Sequence, residues 1–377
     1  MFTYTLLNLI KSPVRTFQLI LAATIVLLLM LTAGAFQEGM KQSLSISGDS
    51  KNVILLGVGS EESMERSEVP FSAVSAAKTI PGIEESLGSR AVSPQIIFNS
   101  VVTFQGKDFD AILRGITPEE LLVYPAISIQ EGRFPNSGEI LVGKMAYQRL
   151  GIPKENLTIG SEINYEGKTF TIVGTFAAPG TTLESEIWFN LNDLMAITQR
   201  DSVSAIILRL GDAEFDDIDL FTKQRLDLQL SAVKESDYYQ MLDRFYQPIQ
   251  TMAWITAILI AAGALFGGLN TFYAALMSRK KEFATLQAIG FSRTKILMTI
   301  VGESLFVHVL AFLTAAIIAL YLFPAIHVGF GSTYFSLSLT PSLILATFLL
   351  AFAMSVLVTC IPAWHCLTPP LNNLLKD

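Results

Sequence analysis

The stretch "FQLILAATIVLLLMLTAGAF", residues 17–36, decides the fold class because it contains no charged residue and is long enough to cross a membrane. A helix needs about 20 apolar residues to span a hydrocarbon core of about 30 Å. Two more uncharged tracts follow, at 245–278 and 304–375. The last tract is long enough for two spans, with a polar stretch between two prolines separating them. The sequence therefore predicts four membrane-spanning helices, at 17–36, 249–278, 300–323 and 341–361.

Basic residues flank these spans unevenly, and this predicts the orientation. They precede the first span, lie between the second and third, and follow the fourth, whereas the 324–340 loop has none. The excess of Lys and Arg on cytoplasmic flanks places all three groups inside. The terminal segments 1–16 and 362–377 are therefore expected to be cytoplasmic, and residues 37–248 extracytoplasmic. The basic flanks are Lys11, Arg15, Arg279, Lys280, Lys281, Arg293, Lys295 and Lys376.

The outer segment, 37–248, is acidic and large enough to fold around its own core. It has 18 basic and 30 acidic residues, a net charge of −12 against −7 for the whole chain. Neither cysteine lies in it, so it is not a disulfide scaffold. Alternating runs such as "FTIVGTF" (170–176) predict strands, and shorter periodic runs predict helices. We expect an α-helical membrane protein with four transmembrane helices and a large mixed α/β extracytoplasmic domain between the first and second.

The first span has a competing interpretation. A basic start, an apolar run and "AGA" at 33–35 also resemble a secretory signal peptide with its cleavage site. The run is long for that purpose. The outer segment would be extracytoplasmic under either interpretation.

The stretch "GEILVGKM" (138–145) nearly matches a phosphate-binding loop. Met145 stands where the pattern has the Ser or Thr whose hydroxyl binds Mg²⁺. An extracytoplasmic position also offers little ATP. We therefore expect a strand that leads into a helix over 144–150, not a nucleotide site.

Cys360, His365 and Cys366 lie together near the end of the last span. Their spacing matches no zinc pattern. We expect a buried helix end and no metal site.

The loop between the second and third spans carries the most specific pattern, "RKKEFATLQAIGFSRTKILMTIVGES" (279–304). Apolar residues recur at helical spacing with charges opposite, which predicts a short amphipathic helix. Gly290 suits a helix C-cap, and Ser292 suits the N-cap of the next helix. The apolar face suits a membrane surface or a groove in a cytosolic partner. This apolar set is Leu276, Phe283, Leu286, Ile289 and Ile296.

This loop resembles the coupling helix of the FtsX/MacB/LolC-type ABC transporter permeases. Their pattern is roughly R-R-x-E-I-G-x-x-R-A-L-G-A-S-R, followed by a Glu at the start of the next span. The chain departs from it at Ala284, where Gly is usual, and at Gln287, where a basic residue is usual. It matches without gaps at Arg279, Lys280, Glu282, Ala288, Ile289, Gly290, Ser292, Arg293 and Glu303.

The resemblance extends over nearly the whole chain. The segments "EGRFPNSGEILVGKMAYQRLGI" (131–152) and "IGSEINYEGKTFTIVGTF" (159–176) are similar to the outer core domain of MacB-like permeases. The tail "IPAWHCLTPPLNNLLK" (361–376) resembles the family's tail, although Trp364 and His365 replace basic residues.

The resemblance implies a permease subunit that has no catalytic residues and binds no cofactor. ATP and Mg²⁺ would bind a dimer of cytosolic ABC ATPase subunits, which would contact residues 279–299, with Lys281, Phe283 and Leu286 joining the matched positions. A second permease chain, identical or related, is expected, as are a periplasmic adaptor and an outer-membrane duct for an exporter. No nucleic-acid partner is expected. In the bacterial inner membrane, such a subunit drives substrate export or extraction; the alternative within the family is a mechanotransducer that regulates a periplasmic cell-wall hydrolase.

Four further positions carry weaker predictions. Gly263 and Gly267 form a G-x-x-x-G pair that allows close helix approach at a dimer interface. Glu303 is expected to pair with Arg279 or Lys280 at the membrane edge and fix the loop, with a position facing the partner as the alternative. His308 is expected to make a polar contact between helices, with a role as proton carrier as the alternative.

Two other classes of function fit less well. A receptor would need a cytoplasmic output module, and the short cytoplasmic segments leave no room for one. A membrane hydrolase would need a catalytic constellation, but the sequence has no H-E-x-x-H, no G-x-S-x-G and three histidines in all.

Overall fold

The computed structural model describes residues 12–86, 88–330 and 333–367. These residues form two compact units. The helical unit comprises the described residues through Gly39, Gln247–Ile326 and the described residues from Ser336 onward. The outer unit comprises the described residues of Met40–Tyr246 and His327–Phe335.

One long apolar helix precedes a segment of short helices and strands, and three long apolar helices follow that segment. Among the described residues, four helices are long and apolar enough to cross a membrane, and each predicted span overlaps one of them. In chain order the helices are α1 (Pro13–Ser47), α2 (Ser72–Ala77), α3 (Glu120–Val123), α4 (Ala146–Leu150), α5 (Leu191–Thr198), α6 (Phe215–Gln224), α7 (Glu235–Ser278), α8 (Lys280–Ala288), α9 (Arg293–Leu322) and α10 (Pro341–Leu367).

In the helical unit, small side chains let α1, α7 and α10 approach closely. Gly34 of α1 lies against Leu343 of α10, where a β-carbon would come within 2.2 Å of the leucine side chain. Trp254 of α7 donates a hydrogen bond from Nε1 to Gln37 Oε1 of α1 over 2.6 Å. These helices share an apolar cluster of Val26, Met30, Ala33, Ala257, Ala261 and Met354.

The outer unit contains a mixed sheet in the order β14-β1-β13-β5-β6-β11-β8-β10-β7, with β9 pairing β10 and β5. The strands are β1 (Asn52–Gly57), β2 (Val69–Pro70), β3 (Glu85–Ser86), β4 (Ser89–Arg90), β5 (Val92–Phe104), β6 (Lys107–Ile116), β7 (Ser128–Gly132), β8 (Glu139–Gly143), β9 (Glu162–Tyr165), β10 (Lys168–Ala177), β11 (Ile187–Asn190), β12 (Ser202–Val203), β13 (Ala205–Arg209), β14 (Leu230–Lys234), β15 (His327–Phe330) and β16 (Thr333–Ser336).

Turn chemistry fixes two hairpins of the outer unit. Between β5 and β6, Gln105 and Gly106 have φ of 49° and 76°. Between β9 and β10, Glu166 and Gly167 have φ of 48° and 75°. Positive φ at both central residues is the type I′ turn that matches strand twist. The alternating runs "QIIFN" (95–99) and "VVTFQ" (101–105) read as two separate strands from the sequence alone, but they join in the single strand β5, which ends at Phe104.

The near-match to a phosphate-binding loop is a strand followed by a helix, as predicted. Its backbone N–H groups already have partners: Gly143 N donates to Glu186 O at 2.9 Å, Lys144 N to Phe176 O at 2.8 Å and Met145 N to Glu184 O at 2.9 Å. A phosphate would need those amides free. The observed bonds therefore leave this loop without the donors that a phosphate cradle requires.

The described residues of the predicted 324–340 loop include two strands, which the sequence analysis did not predict. Its strands β15 and β16 pair, and His327–Phe335 belongs to the outer unit. Phe335 is buried. Burial raises the pKa of the Tyr334 hydroxyl, and the positive charge of Arg149 in the outer unit opposes that rise. The outer unit therefore includes a hairpin that the sequence places after the third apolar helix.

A buried ion pair lies inside the outer sheet. Arg114 donates to both carboxylate oxygens of Glu186, over 2.6 and 2.7 Å, and Trp188 Nε1 donates to the same carboxylate over 3.0 Å. Trp188 also stacks on Phe176, with ring centroids 3.8 Å apart. Removing one partner of a buried pair leaves the other charge uncompensated, which costs about 3–5 kcal/mol.

We expect Arg114→Met to destabilise the outer unit because Glu186 would lose its counter-charge. A loss of about 3–5 kcal/mol corresponds to a fall of roughly 6–20 °C in the midpoint of thermal unfolding for a domain of this size. The measurement is the tryptophan fluorescence of the full-length protein in detergent during heating. Arg133→Gln, which removes an arginine from an exposed pair with Glu139, is the control and should change the midpoint little. Equal midpoints for both variants would contradict a stabilising role for the buried pair.

Candidate coupling site

The loop between α7 and α9 forms the predicted helix, turn and cap. Helix α8 ends at Ala288, and Gly290 adopts φ of +105°, which lets Phe291 N donate to Leu286 O over 3.0 Å. Ser292 then caps α9, and its side chain accepts from Lys295 N. The helix is shorter than the predicted 279–299 segment, because Gly290 ends it and residues 293–299 form the first turns of α9.

The inner face of α8 packs on the ends of the long helices. Phe283 is 3% exposed and Ala284 is fully buried. Phe283 contributes to an apolar cluster with Leu276, Ile296, Ile300, Ala363 and Cys366, and Leu286 packs against it. The prediction that this face serves a membrane surface or a partner's groove is therefore wrong: the chain covers the face itself.

The solvent-exposed face of α8 remains accessible, as does its tip, residues 289–291, where the chain turns into α9. Ile289 is 71% exposed and Phe291 is 38% exposed, so two large apolar side chains project at the tip. Ile289 was expected on the apolar face, but it lies beyond the last turn of α8, outside that face. The other exposed positions of the predicted site are Lys281, Glu282, Ala288, Gly290, Ser292 and Arg293.

The two departures from the family pattern both face inward. Ala284 occupies a fully buried position, so its methyl group adds to the packing of α8. Gln287 is half-buried, and its amide nitrogen has no hydrogen-bond acceptor among the described residues. Neither change alters the exposed face.

Glu303 of α9 lies between two arginines. Its Oε2 is 3.1 Å from Arg279 Nη1, which confirms one of the two predicted pairings. Its Oε1 is 3.1 Å from Arg15 Nη2, a contact that the sequence did not predict. The sequence offered one signal for this contact, because Arg15 and Arg279 are both predicted at the cytoplasmic ends of apolar spans.

Arg279 is also held by its neighbours in α8. Its Nε is 3.3 Å from Glu282 Oε2, and its guanidinium carbon lies 5.2 Å from the centre of the Phe283 ring. The side chain thus contacts a carboxylate of the accessible face, the buried aromatic ring and Glu303. The positive charge of Lys280, the other predicted partner of Glu303, opposes the rise in the pKa of the Cys366 thiol that burial causes.

Polar groups also join α9 and α10. Ser304 Oγ donates to Ser355 O over 3.2 Å, and both serines are fully buried. His308 was expected to make the contact between helices, but its Nδ1 donates to Ser304 O of its own helix over 2.9 Å. The hydroxyl at the more closely packed position, Ser304, makes the interhelical bond instead.

The remaining predicted positions lie apart from this site. A β-carbon at Gly263 or Gly267 would meet nothing within 4 Å, so both glycines face open space in the isolated chain, and their dimer role stays a prediction. No cluster of three metal-ligating side chains occurs in 12–86, 88–330 and 333–367. The side chain of His365 and all of 368–377 lie outside the described residues.

Two family models match the chain. The MacB-like periplasmic core domain matches residues 16–217, and the FtsX-like permease C-terminal model matches residues 254–371. No curated protein matches it.

Solved structures of outer domains are also similar. The periplasmic region of MacB from Actinobacillus actinomycetemcomitans is 12% identical, with a TM-score of 0.41, over 52% of this chain and 94% of that one. The extracellular domain of the noncanonic ABC-type transporter YknZ from Gram-positive bacteria is 14% identical, with a TM-score of 0.37, over 48% and 99%. These TM-scores are too low to carry an argument, so any assignment of the chain to a family rests on the two family models.

The packing of α8 predicts that Phe283→Ala will uncover Cys366. Truncating a buried Phe costs about 3–5 kcal/mol, and each 1.4 kcal/mol changes an opening equilibrium about ten-fold. We expect Cys366 to react with maleimide at least about ten-fold faster in Phe283→Ala than in its parent, both carrying Cys360→Ser. Ile289→Ala, which truncates an exposed side chain of the same loop, should leave the rate unchanged. Equal rates in Phe283→Ala and its parent would contradict the packing.

Proposed function

Because the chain belongs to the MacB/FtsX-type family of ABC transporter permeases, we propose that it is the membrane subunit of an ABC transporter. A separate ATPase subunit hydrolyses ATP, and this chain passes the resulting motion to its outer domain, which drives export or extraction of a substrate. The observation that carries the proposal is the arrangement of α8, which is anchored on one face and accessible on the other.

The accessible surface of α8 and its tip is the proposed docking site for the ATPase. Buried aromatic or aliphatic anchors dominate the energy of most protein interfaces. Ile289 and Phe291 are suitable anchors because both are large, apolar and exposed. Exposed residues Lys281, Glu282 and Arg293 supply charges around them.

The inner face of α8 has a different proposed role. Phe283, Leu286, Arg279 and Glu303 tie the helix to the long helices, so force applied at the tip reaches α7, α9 and α10. Packed side chains with few alternative arrangements transmit such displacements. The predicted coupling residues thus divide into a docking group and an anchoring group.

In this proposal the four apolar helices cross the bacterial inner membrane. The basic flanks favour cytoplasmic termini and an extracytoplasmic position for residues 37–248. The α8 loop then lies in the cytoplasm, where an ATPase subunit can reach it.

The chain itself has no catalytic role in this proposal. ATP and Mg²⁺ bind the partner, and the engaged backbone amides at Gly143, Lys144 and Met145 support this assignment. A second permease chain, identical or related, completes the transporter, and its proposed contact includes Gly263 and Gly267. For an exporter, a periplasmic adaptor and an outer-membrane duct complete the path.

The docking site is tested by Ile289→Glu. Placing a carboxylate in an apolar anchor pocket without a partner costs several kcal/mol. We expect the ATPase subunit to co-purify with the parent in mild detergent, and to be lost or reduced at least about ten-fold with Ile289→Glu. ATP hydrolysis by the purified complex should fall in the same proportion.

The matched control is Ile159→Glu, the same change at an exposed isoleucine of the outer unit. Both variants should unfold at the temperature of the parent, because neither side chain is buried. If Ile289→Glu binds the ATPase as the parent does, α8 and its tip are not the docking site. If the parent binds no ATPase, the transporter assignment of this chain fails.

The orientation is tested with cysteines placed at exposed positions of a variant that lacks Cys360 and Cys366. A membrane-impermeant maleimide should label Lys107→Cys in cells whose outer membrane is opened, and should label Thr294→Cys after the inner membrane is also opened. The two sites are predicted on opposite sides because 37–248 is outside and the α8 loop is inside. The reverse labelling pattern would show that the topology is inverted. Labelling of both sites with only the outer membrane opened would contradict the predicted topology, because both sites would then lie outside.

A further inference from the structure

The two long helices that flank the outer segment in the chain differ in how they connect to α8. Helix α7 ends at Ser278, one residue before Arg279, so it continues into α8 through the backbone. Helix α1 has no such continuity. Its bond to the α8 region runs through side chains, from Arg15 to Glu303 and from Glu303 to Arg279.

The two bonds meet at one carboxylate. Arg15 Nη2 contacts Oε1 and Arg279 Nη1 contacts Oε2, each over 3.1 Å. Because the oxygens belong to one rigid group, a displacement of Arg279 that rotates or draws the carboxylate must also change the Arg15 bond. The two arginines are therefore mechanically linked, although they lie on different helices.

The surroundings strengthen both bonds. The side chain of Glu303 is 6% exposed, that of Arg279 14% and that of Arg15 28%. A narrow crevice lined by Leu19, Phe272 and Val307 adjoins the three charges. Ion pairs with little access to water interact more strongly than exposed pairs, and losing one partner of such a pair is costly.

We propose that Arg15 is a positioning residue that makes α1 respond to movement of α8 through Glu303. This rests on the proposed function, in which the ATPase acts on α8. Both helices that flank the outer segment would then follow the ATPase, α7 through the backbone and α1 through the Arg15–Glu303–Arg279 bridge. Without the bridge, α8 would move α7 while α1 stayed in place.

The first test uses the full-length permease alone, without native cysteines and with Val14→Cys in the exposed first turn of α1. Maleimide labelling rates are compared for the parent, Arg15→Gln, Arg279→Gln and the double variant. We expect Arg15→Gln to raise the rate at least about five-fold, the lower end of ordinary coupling between sites. In the background that keeps Arg15, Arg279→Gln should slow labelling, because the Glu303 carboxylate then pairs with Arg15 alone. In the Arg15→Gln background, Arg279→Gln should leave the labelling rate unchanged.

Controls separate the bridge from a general loss of charge. Lys41→Gln removes an exposed positive charge from the same helix and should leave the rate at Val14→Cys unchanged. Arg15→Lys keeps the charge and should restore most of the protection. Equal effects of Arg279→Gln with and without Arg15 would overturn the proposal.

The second test adds the ATPase subunit that co-purifies with the permease. ATP with Mg²⁺ should change labelling of Val14→Cys in the parent, and Arg15→Gln should abolish this response while the ATPase stays bound. A response that persists in Arg15→Gln overturns the proposal. If the parent shows no response to ATP although the first test gives the coupled result, the proposed function fails and the bridge between the helices stands.

Discussion

A carboxylate on a long apolar helix is costly unless counter-charges meet it, and Glu303 imposes this constraint on the helical unit. Glu303 is paired with two arginines that lie beside it. Arg15 comes from the start of α1, and Arg279 comes from the residue just before α8. The position of α8 follows from this, since Arg279 immediately precedes it. Phe283 then covers the apolar ends of the neighbouring helices and the buried thiol of Cys366. Charge pairing and apolar burial thus fix the same short helix from two sides.

This arrangement has a functional consequence for the accessible surface. An amphipathic helix normally offers its apolar face to whatever binds it. Here that face is used internally, so the proposed function assigns recognition to the tip, where the chain turns at Gly290 and exposes Ile289 and Phe291. A partner that grips the tip pushes against a helix that cannot slide sideways without breaking the Phe283 packing. The geometry suits transmission of force better than mere attachment.

Much of this could be predicted from the sequence because the relevant signals are local. The apolar helices follow from the length of the uncharged tracts, the strand and helix at 139–150 from alternation, and the turn at Gly290 from cap chemistry. What covers the apolar face of α8 could not be predicted, since periodicity defines a face but not its neighbour. The contact of Arg15 with Glu303 joins residues 288 positions apart, and no local pattern encodes it. His308 bonds to Ser304 O one turn earlier in its own helix, and a sequence pattern does not distinguish such a bond from one to a neighbouring helix.

The β15–β16 hairpin bears on how the protein is made. Strand β1 already pairs with β13 and β14, which places partners far apart in the chain and makes the outer sheet slow to form. Residues His327–Phe335, which also belong to the outer unit, are synthesised later still, after the whole of α9. Because synthesis proceeds from the N-terminus, the outer unit lacks these residues until the third apolar helix, α9, has been synthesised. A chain stalled before α9 would therefore lack residues His327–Phe335 of the outer unit.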